Sequence, residues 1–221
     1  MREYILFDLD GTLTDPKEGI TKAVRYTLNH YGIQVEDLDS LCPFIGPPLT
    51  DSFQRFYNFS PEQAKESVLV YREYYLVTGW KENREFQGVK EMLGRLKAAG
   101  KHLLVATSKP ETIARQVLEY FGMDGCFELI GGADLDGTRV KKGDVIRYVL
   151  ERAGLGTDRE TIARTIMVGD REHDVLGARE VGMDCVGVLY GYGSREEFQA
   201  CQAFAVVETM EELEGFLLDC Q

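Results

Sequence analysis

Short apolar runs at residues 4–9, 103–107, 127–130, 165–168, 185–189 and 204–207 alternate with stretches whose apolar residues recur at helical spacing. Most of the runs are rich in Val, Ile or Leu, as strands covered on both faces require. The fold class expected is α/β: a Rossmann-like parallel sheet with helices on both faces. The connecting helices have readable faces in Val89, Met92, Leu93 and Leu96, in Ile113, Ala114, Val117, Leu118 and Phe121, and in Val145, Ile146, Val149, Leu150 and Ala153. Gly100, Gly122 and Gly154 follow these faces, where a left-handed residue closes a helix.

One segment departs from the alternation. Residues 16–82 carry only helical patterns and read as an all-α cap inserted into a core of residues 1–15 and 83–221, with hinges near 14–16 and 80–86. Ile20, Ala23, Val24, Thr27, Leu28 and Tyr31 share one helical face that ends at Gly32. Ser60-Pro61-Glu62-Gln63 starts another helix, with Ser60 as N-cap, Pro61 at its first position and Gln63 closing a capping box. Residues 42–51, CPFIGPPLTD, read as a proline-rich turn, and Tyr71, Tyr74 and Tyr75 as packing within the cap.

The 44% hydrophobic content is ample for a core of this size. A formal net charge of -12 argues against nucleic acid and anionic membrane surfaces as partners. The cysteines, Cys42, Cys126, Cys185, Cys201 and Cys220, are scattered without a C-x-x-C, which suggests neither a disulfide framework nor a zinc site and fits a reducing cytoplasm. The apolar run behind Arg2-Glu3 is too short for a signal sequence, and no stretch approaches the ~18 apolar residues of a membrane span. A cytoplasmic monomer or homodimer acting on a small molecule is expected.

Polar clusters follow three of the apolar runs: Asp8-Leu9-Asp10-Gly11-Thr12, Thr107-Ser108-Lys109, and Gly169-Asp170-Arg171-Glu172-His173-Asp174. In a doubly wound sheet these are the carboxyl ends of strands, where ligands bind. Crowded carboxylates repel, so Asp8 and Asp10 require a neutralising divalent cation or a retained proton. Mg²⁺ suits Asp8 and Asp170, because it takes one or two carboxylates and leaves positions for water and phosphate. Ser108 and backbone N–H groups at a helix start would hold phosphate oxygens, and Lys142 or its neighbour Lys141 would offset their charge.

In order and spacing these stretches resemble the motifs of the haloacid dehalogenase superfamily of phosphohydrolases, with D-x-D-G-T at Asp8–Thr12, the Ser/Thr motif at Ser108, the lysine motif at Lys142 and G-D-x-x-x-D at Gly169–Asp174. Within it the chain is most similar to the phosphoglycolate phosphatase-like and bacterial 5′-nucleotidase-like groups with a helical cap; IGPPL and MVGDREHDVLGA carry the latter likeness. The resemblance implies that Asp8 is a nucleophile forming an aspartyl phosphate and Asp10 the general acid and base. It implies Mg²⁺ held by Asp8, the Asp10 backbone carbonyl and Asp170, with Asp174 as a ligand or an outer partner. Thr12 would hold Asp10, and Ser108 and Lys142 would grip the phosphoryl group. Lys17, Glu18, Arg55, Lys109 and the turn at 45–49 are candidates for recognising the rest of the substrate.

The activity implied is Mg²⁺-dependent hydrolysis of a small soluble phosphomonoester, phosphoglycolate or a nucleoside 5′-monophosphate. A sugar phosphomutase shares the same residues, and a non-catalytic phospho-aspartate signalling module shares the acidic site and the lysine. His173 reads as an exposed loop histidine bonded to a neighbour, Asp134 and Asp136 as a turn, and the acidic run at 208–214 as the solvated face of a C-terminal helix.

Overall fold

The computed structural model describes residues 2–134 and 138–219. Along the chain, β1 (Tyr4–Phe7) and β2 (Thr14–Asp15) precede α1 (Lys17–His30), α2 (Leu49–Tyr57) and α3 (Pro61–Tyr75). Next come β3 (Arg84–Glu85), α4 (Val89–Ala98), β4 (His102–Pro110), α5 (Glu111–Tyr120), β5 (Leu129–Ala133) and α6 (Lys142–Arg152). The chain continues through α7 (Arg159–Ala163), β6 (Thr165–Gly169), α8 (Glu172–Glu180), β7 (Cys185–Val188), α9 (Arg195–Ala200), β8 (Ala205–Val207) and α10 (Met210–Asp219). Contacts divide it into two units, Met1–Thr14 with Glu85–Gln221, and Asp15–Arg84.

The first unit is built on a six-stranded sheet in the order β5-β4-β1-β6-β7-β8, and its neighbouring strands pair in parallel. β1 lies in the middle, with Tyr4 opposite both His102 of β4 and Thr165 of β6. The chain builds outward through β4 and β5, then crosses back to add β6, β7 and β8. The order therefore reverses at β1, and a crevice opens at the carboxyl ends there. Leu6, Leu104, Ala106 and Met167 pack against Val145, Ile146, Val149 and Leu150 of α6 and Val175 and Ala178 of α8. On β4, α4 and α5 pack with residues outside that cluster, so the strands are buried on both sides.

The second unit is helical. Ile20, Ala23, Val24, Thr27 and Leu28 form the buried face of α1. Ser60 and Gln63 make the reciprocal capping box at the start of α3. Phe44, Phe53 and Phe59 form an aromatic core, with ring centroids 5.1 Å apart for Phe44–Phe53 and 5.8 Å for Phe53–Phe59. Tyr71 and Tyr75 are buried and stacked at 5.1 Å. Residues 42–44, expected in a turn, belong instead to a 3₁₀ helix, Leu38–Phe44, with Pro43 inside it.

Gly100, Gly122 and Gly154 take the positive φ expected of helix-closing residues. β1 ends at Phe7, two residues earlier than the apolar run suggests, because the next residues coil. β4 extends past Thr107 to Pro110 through a register shift against β5. The apolar run ends at Thr107, but the backbone continues through Ser108, Lys109 and Pro110 as a bulged strand. The Asp134 carboxylate accepts from Arg139 N (2.9 Å) and Thr138 Oγ1 (2.6 Å), whereas Asp136, the other residue of the expected turn, lies outside the described residues. Leu104→Ala removes a side chain from the middle of the α6 cluster and is expected to cost about 2–5 kcal/mol in urea unfolding.

Candidate active site

The turn after β1 is compact. The N–H groups of Leu13 and Thr14 both donate to Leu9 O, at 2.9 and 3.0 Å, and Gly11 N donates to Thr14 O at 2.7 Å. Gly11 has φ +79°, and a Cβ there would lie 2.0 Å from Asp170 Oδ2, so no other residue fits. This close approach brings the β1 turn against the end of β6. Asp8, Asp10, Asp170 and Asp174 are 4%, 8%, 0% and 1% exposed.

Two lysines sort these carboxylates. Lys142, at the first position of α6, directs Nζ to Asp8 Oδ1 (2.9 Å), Asp174 Oδ1 (2.7 Å) and the Ala106 carbonyl (2.9 Å). Lys141 is exposed, which decides between the two lysines. Buried Lys109 pairs with Asp10 Oδ2. Asp174, in the first turn of α8, also accepts from Arg171 N at 3.1 Å. Asp170 Oδ2 accepts from Tyr192 N at 2.8 Å, while its Oδ1 meets no protein donor among the described residues.

Oxygens of Asp8, Asp170 and Asp174 lie within 4.8 Å of one another. Three buried carboxyl groups stand against one ammonium, and among the described residues no lysine or arginine forms an ion pair with Asp170. A divalent cation with oxygen ligands fits that set in charge and donor type. The side chain of Asp10 is engaged by Lys109 and stands outside the three-carboxylate group.

Burial pushes the Asp170 carboxyl well above its ordinary value, with Asp174 and Asp8 adding to the effect. Burial likewise pushes Asp174 up to about 6 against the opposing charge of Lys142. Burial raises Asp10 as well, and Lys109 opposes it. For Lys142, burial favours loss of the proton, yet Asp174 and Asp8 outweigh it and hold the lysine charged.

Several expectations change on the structure. Thr12 is fully buried and its hydroxyl makes no hydrogen bond among the described residues, so it does not hold Asp10, which pairs with Lys109 instead. Ser108 is half-buried on the β4 extension rather than at a helix start, since α5 begins at Glu111 behind Pro110, which has no N–H to offer. His173 lies half-buried in the first turn of α8, where burial lowers its pKa, and its Nδ1 meets no protein group. The helix starts one residue before it, so it is not the exposed, bonded loop histidine expected. Lys17 and Arg55 belong to the helical unit, where Lys17 pairs with Asp39 at 2.8 Å and Arg55 lies 5.5 Å from the Phe56 ring. Sequence reading passed over Tyr190 and the Gly191-Tyr192-Gly193 loop that wraps Asp170; the paired glycines after β7 were the available signal.

The chain belongs to the haloacid dehalogenase-like hydrolase family, whose model matches residues 5–188. A 5′-nucleotidase of Pseudomonas aeruginosa is 48% identical over 198 residues, which cover 90% of this chain and 87% of that protein. The tyrosine-protein kinase PtkA of Mycobacterium tuberculosis is 41% identical over 191 residues, 86% of this chain and 63% of that one. The crystal structure of a protein described as a predicted phosphatase, from Clostridium acetobutylicum, superposes with a TM-score of 0.94 at 46% identity over 99% of both chains. These likenesses place the chain among the phosphatases of the family. Among the described residues no helix is long and apolar enough to cross a membrane.

Raised carboxyl groups bind protons more tightly in the folded than in the unfolded state. For Asp174 this stabilisation is present below the ordinary value of 3.8 and is lost as pH rises through about 6. The Asp170 carboxyl, also raised by burial, adds a loss of the same sign. In metal-free buffer, thermal unfolding is therefore expected to show Asp170→Asn gaining on the wild type between pH 5 and 8, by ~2–4 °C for each kcal/mol relieved. Adding Mg²⁺ at pH 8 is expected to raise the Tm of the wild type and to leave Asp170→Asn nearly unmoved. Gly11→Ala is expected to weaken Mg²⁺ binding in calorimetry by at least about tenfold, because Asp170 must move.

Proposed function

We propose that this chain is a Mg²⁺-dependent phosphomonoester hydrolase that works through a phosphorylated Asp8. The observation that carries the reading is the grouping of Asp8, Asp170 and Asp174 at the carboxyl ends of the central strands, with the buried ammonium of Lys142 on Asp8 and Asp174. Asp8, the Asp10 backbone carbonyl, Asp170 and Asp174 would hold Mg²⁺, which when bound offsets phosphoryl charge. An Asp8 carboxylate oxygen bonds to phosphorus as the bond to the leaving oxygen breaks, and Asp10 gives that oxygen its proton. Asp10 then takes a proton from the water that attacks phosphorus. The Asp8–phosphorus bond breaks, phosphate leaves and both carboxyl groups return to their starting states. Lys142 holds and aims Asp8 through Oδ1, and Ser108 supplies a hydroxyl to the phosphoryl oxygens.

A nucleoside 5′-monophosphate is the first substrate candidate, supported by the 48% identical 5′-nucleotidase, and phosphoglycolate the second. The relative named tyrosine-protein kinase favours a second reading, in which phospho-Asp8 passes its phosphoryl group to a tyrosine hydroxyl instead of water. Phosphate release from nucleoside 5′-monophosphates, phosphoglycolate, sugar phosphates and p-nitrophenyl phosphate, with Mg²⁺ or EDTA, separates these readings. Turnover that needs Mg²⁺ and disappears in Asp8→Asn is expected, with a loss of at least ~10³-fold. Rearranged sugar phosphate, or a stable phospho-Asp8 that discharges only to tyrosine, would overturn hydrolysis. In the same panel, unchanged preference in both Lys17→Ala and Arg55→Ala would remove those residues from substrate recognition.

A further inference from the structure

The two carboxylates of the first motif are one residue apart, yet each has its own lysine. Lys142 reaches Asp8 from α6, and Lys109 reaches Asp10 from the bulged end of β4. The bulge is specified locally. Lys109 N donates to Thr107 Oγ1 at 3.2 Å, and the strand pairing jumps from Thr107–Gly132 to Pro110–Ala133. Gly132 permits it, since a Cβ there would lie 2.4 Å from the Lys109 carbonyl oxygen. The Lys109 side chain is 4% exposed, which makes it a poor candidate for an electrostatic lure at the surface. Of the two Asp10 oxygens it pairs with Oδ2, and Oδ1 is buried with no hydrogen-bond partner among the described residues.

From this geometry we infer that Lys109 is a positioning residue: it clamps Asp10 Oδ2 and so leaves Oδ1 as the oxygen that exchanges the proton with the leaving group and with water. The inference rests on the hydrolase reading above. It replaces the expectation that Lys109 recognises substrate, because its ammonium is committed to Asp10. A clamp of this kind matters in proportion to how much the leaving oxygen needs a proton. An alkoxide leaves poorly without one, whereas p-nitrophenolate leaves readily unprotonated. A lysine that merely bound phosphate, or merely held up the fold, would matter equally for both.

The test compares kcat/KM for a nucleoside 5′-monophosphate and for p-nitrophenyl phosphate in wild type, Lys109→Met, Lys109→Arg and Asp10→Asn, all with Mg²⁺. Lys109→Met is expected to lose about 10- to 100-fold on the alkyl ester and less than ~5-fold on the aryl ester, the same direction of bias as Asp10→Asn. Lys109→Arg is expected to recover part of the alkyl rate. Equal losses on both esters, or no loss on either, would overturn the inference. If Lys109→Met does not fold, Lys109→Gln carries the same comparison. Thermal unfolding of Lys109→Met, Asp10→Asn and the double variant supplies a readout independent of turnover: the single effects are expected to be non-additive, and additive effects would also overturn the pairing. Wild type without Asp8-dependent turnover would defeat the hydrolase reading and the positioning role with it, and the non-additivity would then show that the ion pair alone survives.

Discussion

Asp170 is a fully buried carboxyl group that pairs with no lysine or arginine among the described residues, and the rest of the site is arranged around that imbalance. An isolated buried charge is among the most costly features a fold can hold, and the usual remedies are a proton, an ion pair or a metal. Lys142 is already shared between Asp8 and Asp174, and Lys109 is taken by Asp10. The unpaired charge is therefore concentrated at one place, next to the oxygen of the proposed nucleophile. On the proposed reading, the protein gives up some stability to keep a preformed attraction for a hard divalent cation beside the proposed phosphate site.

The scaffold makes that arrangement repeatable. Asp8, the β4 bulge and Asp170 extend from three adjacent strands, β4, β1 and β6, whose register is set by buried residues such as Leu6, Leu104 and Met167. Lys142 comes from α6, and the four apolar residues behind it lock that helix to the same face of the sheet. The ammonium is aimed by core packing rather than by polar neighbours alone. Changes at Val145 or Val149 would therefore reach the phosphate site without touching it.

Features encoded within a few residues were legible in the sequence. The glycine stops, the capping box at Ser60 and Gln63 and the apolar face of α1 each depend on local spacing, and each is present. The family motifs located Asp8, Asp10, Lys142, Asp170 and Asp174, which the fold brings into one buried region. What escaped was set by distant parts of the chain. The bond from Lys109 to Asp10 spans 99 positions, and the Tyr192 N–H that steadies Asp170 comes 22 residues later. Pro110 punctuates the sequence like a turn, yet β4 runs on to it because Gly132 gives way. His173 was misread because its position depends on where α8 begins, which Asp174 helps to fix by accepting from Arg171 N.

The central position of β1 also bears on how the molecule opens. With parallel partners on both sides and Ile5, Leu6 and Phe7 wholly buried, this strand cannot detach without dismantling the sheet. Its amide hydrogens are expected to exchange slowest, through global unfolding rather than local fluctuation. The β4 extension is different, because its ladder is already interrupted between Thr107 and Pro110. Asp8 is thus anchored in the most persistent part of the molecule, while the lysine that orients Asp10 stands on a stretch able to loosen by itself. Heat or mild denaturant would blunt proton transfer before it disturbed the nucleophile, and activity would fade ahead of the fold.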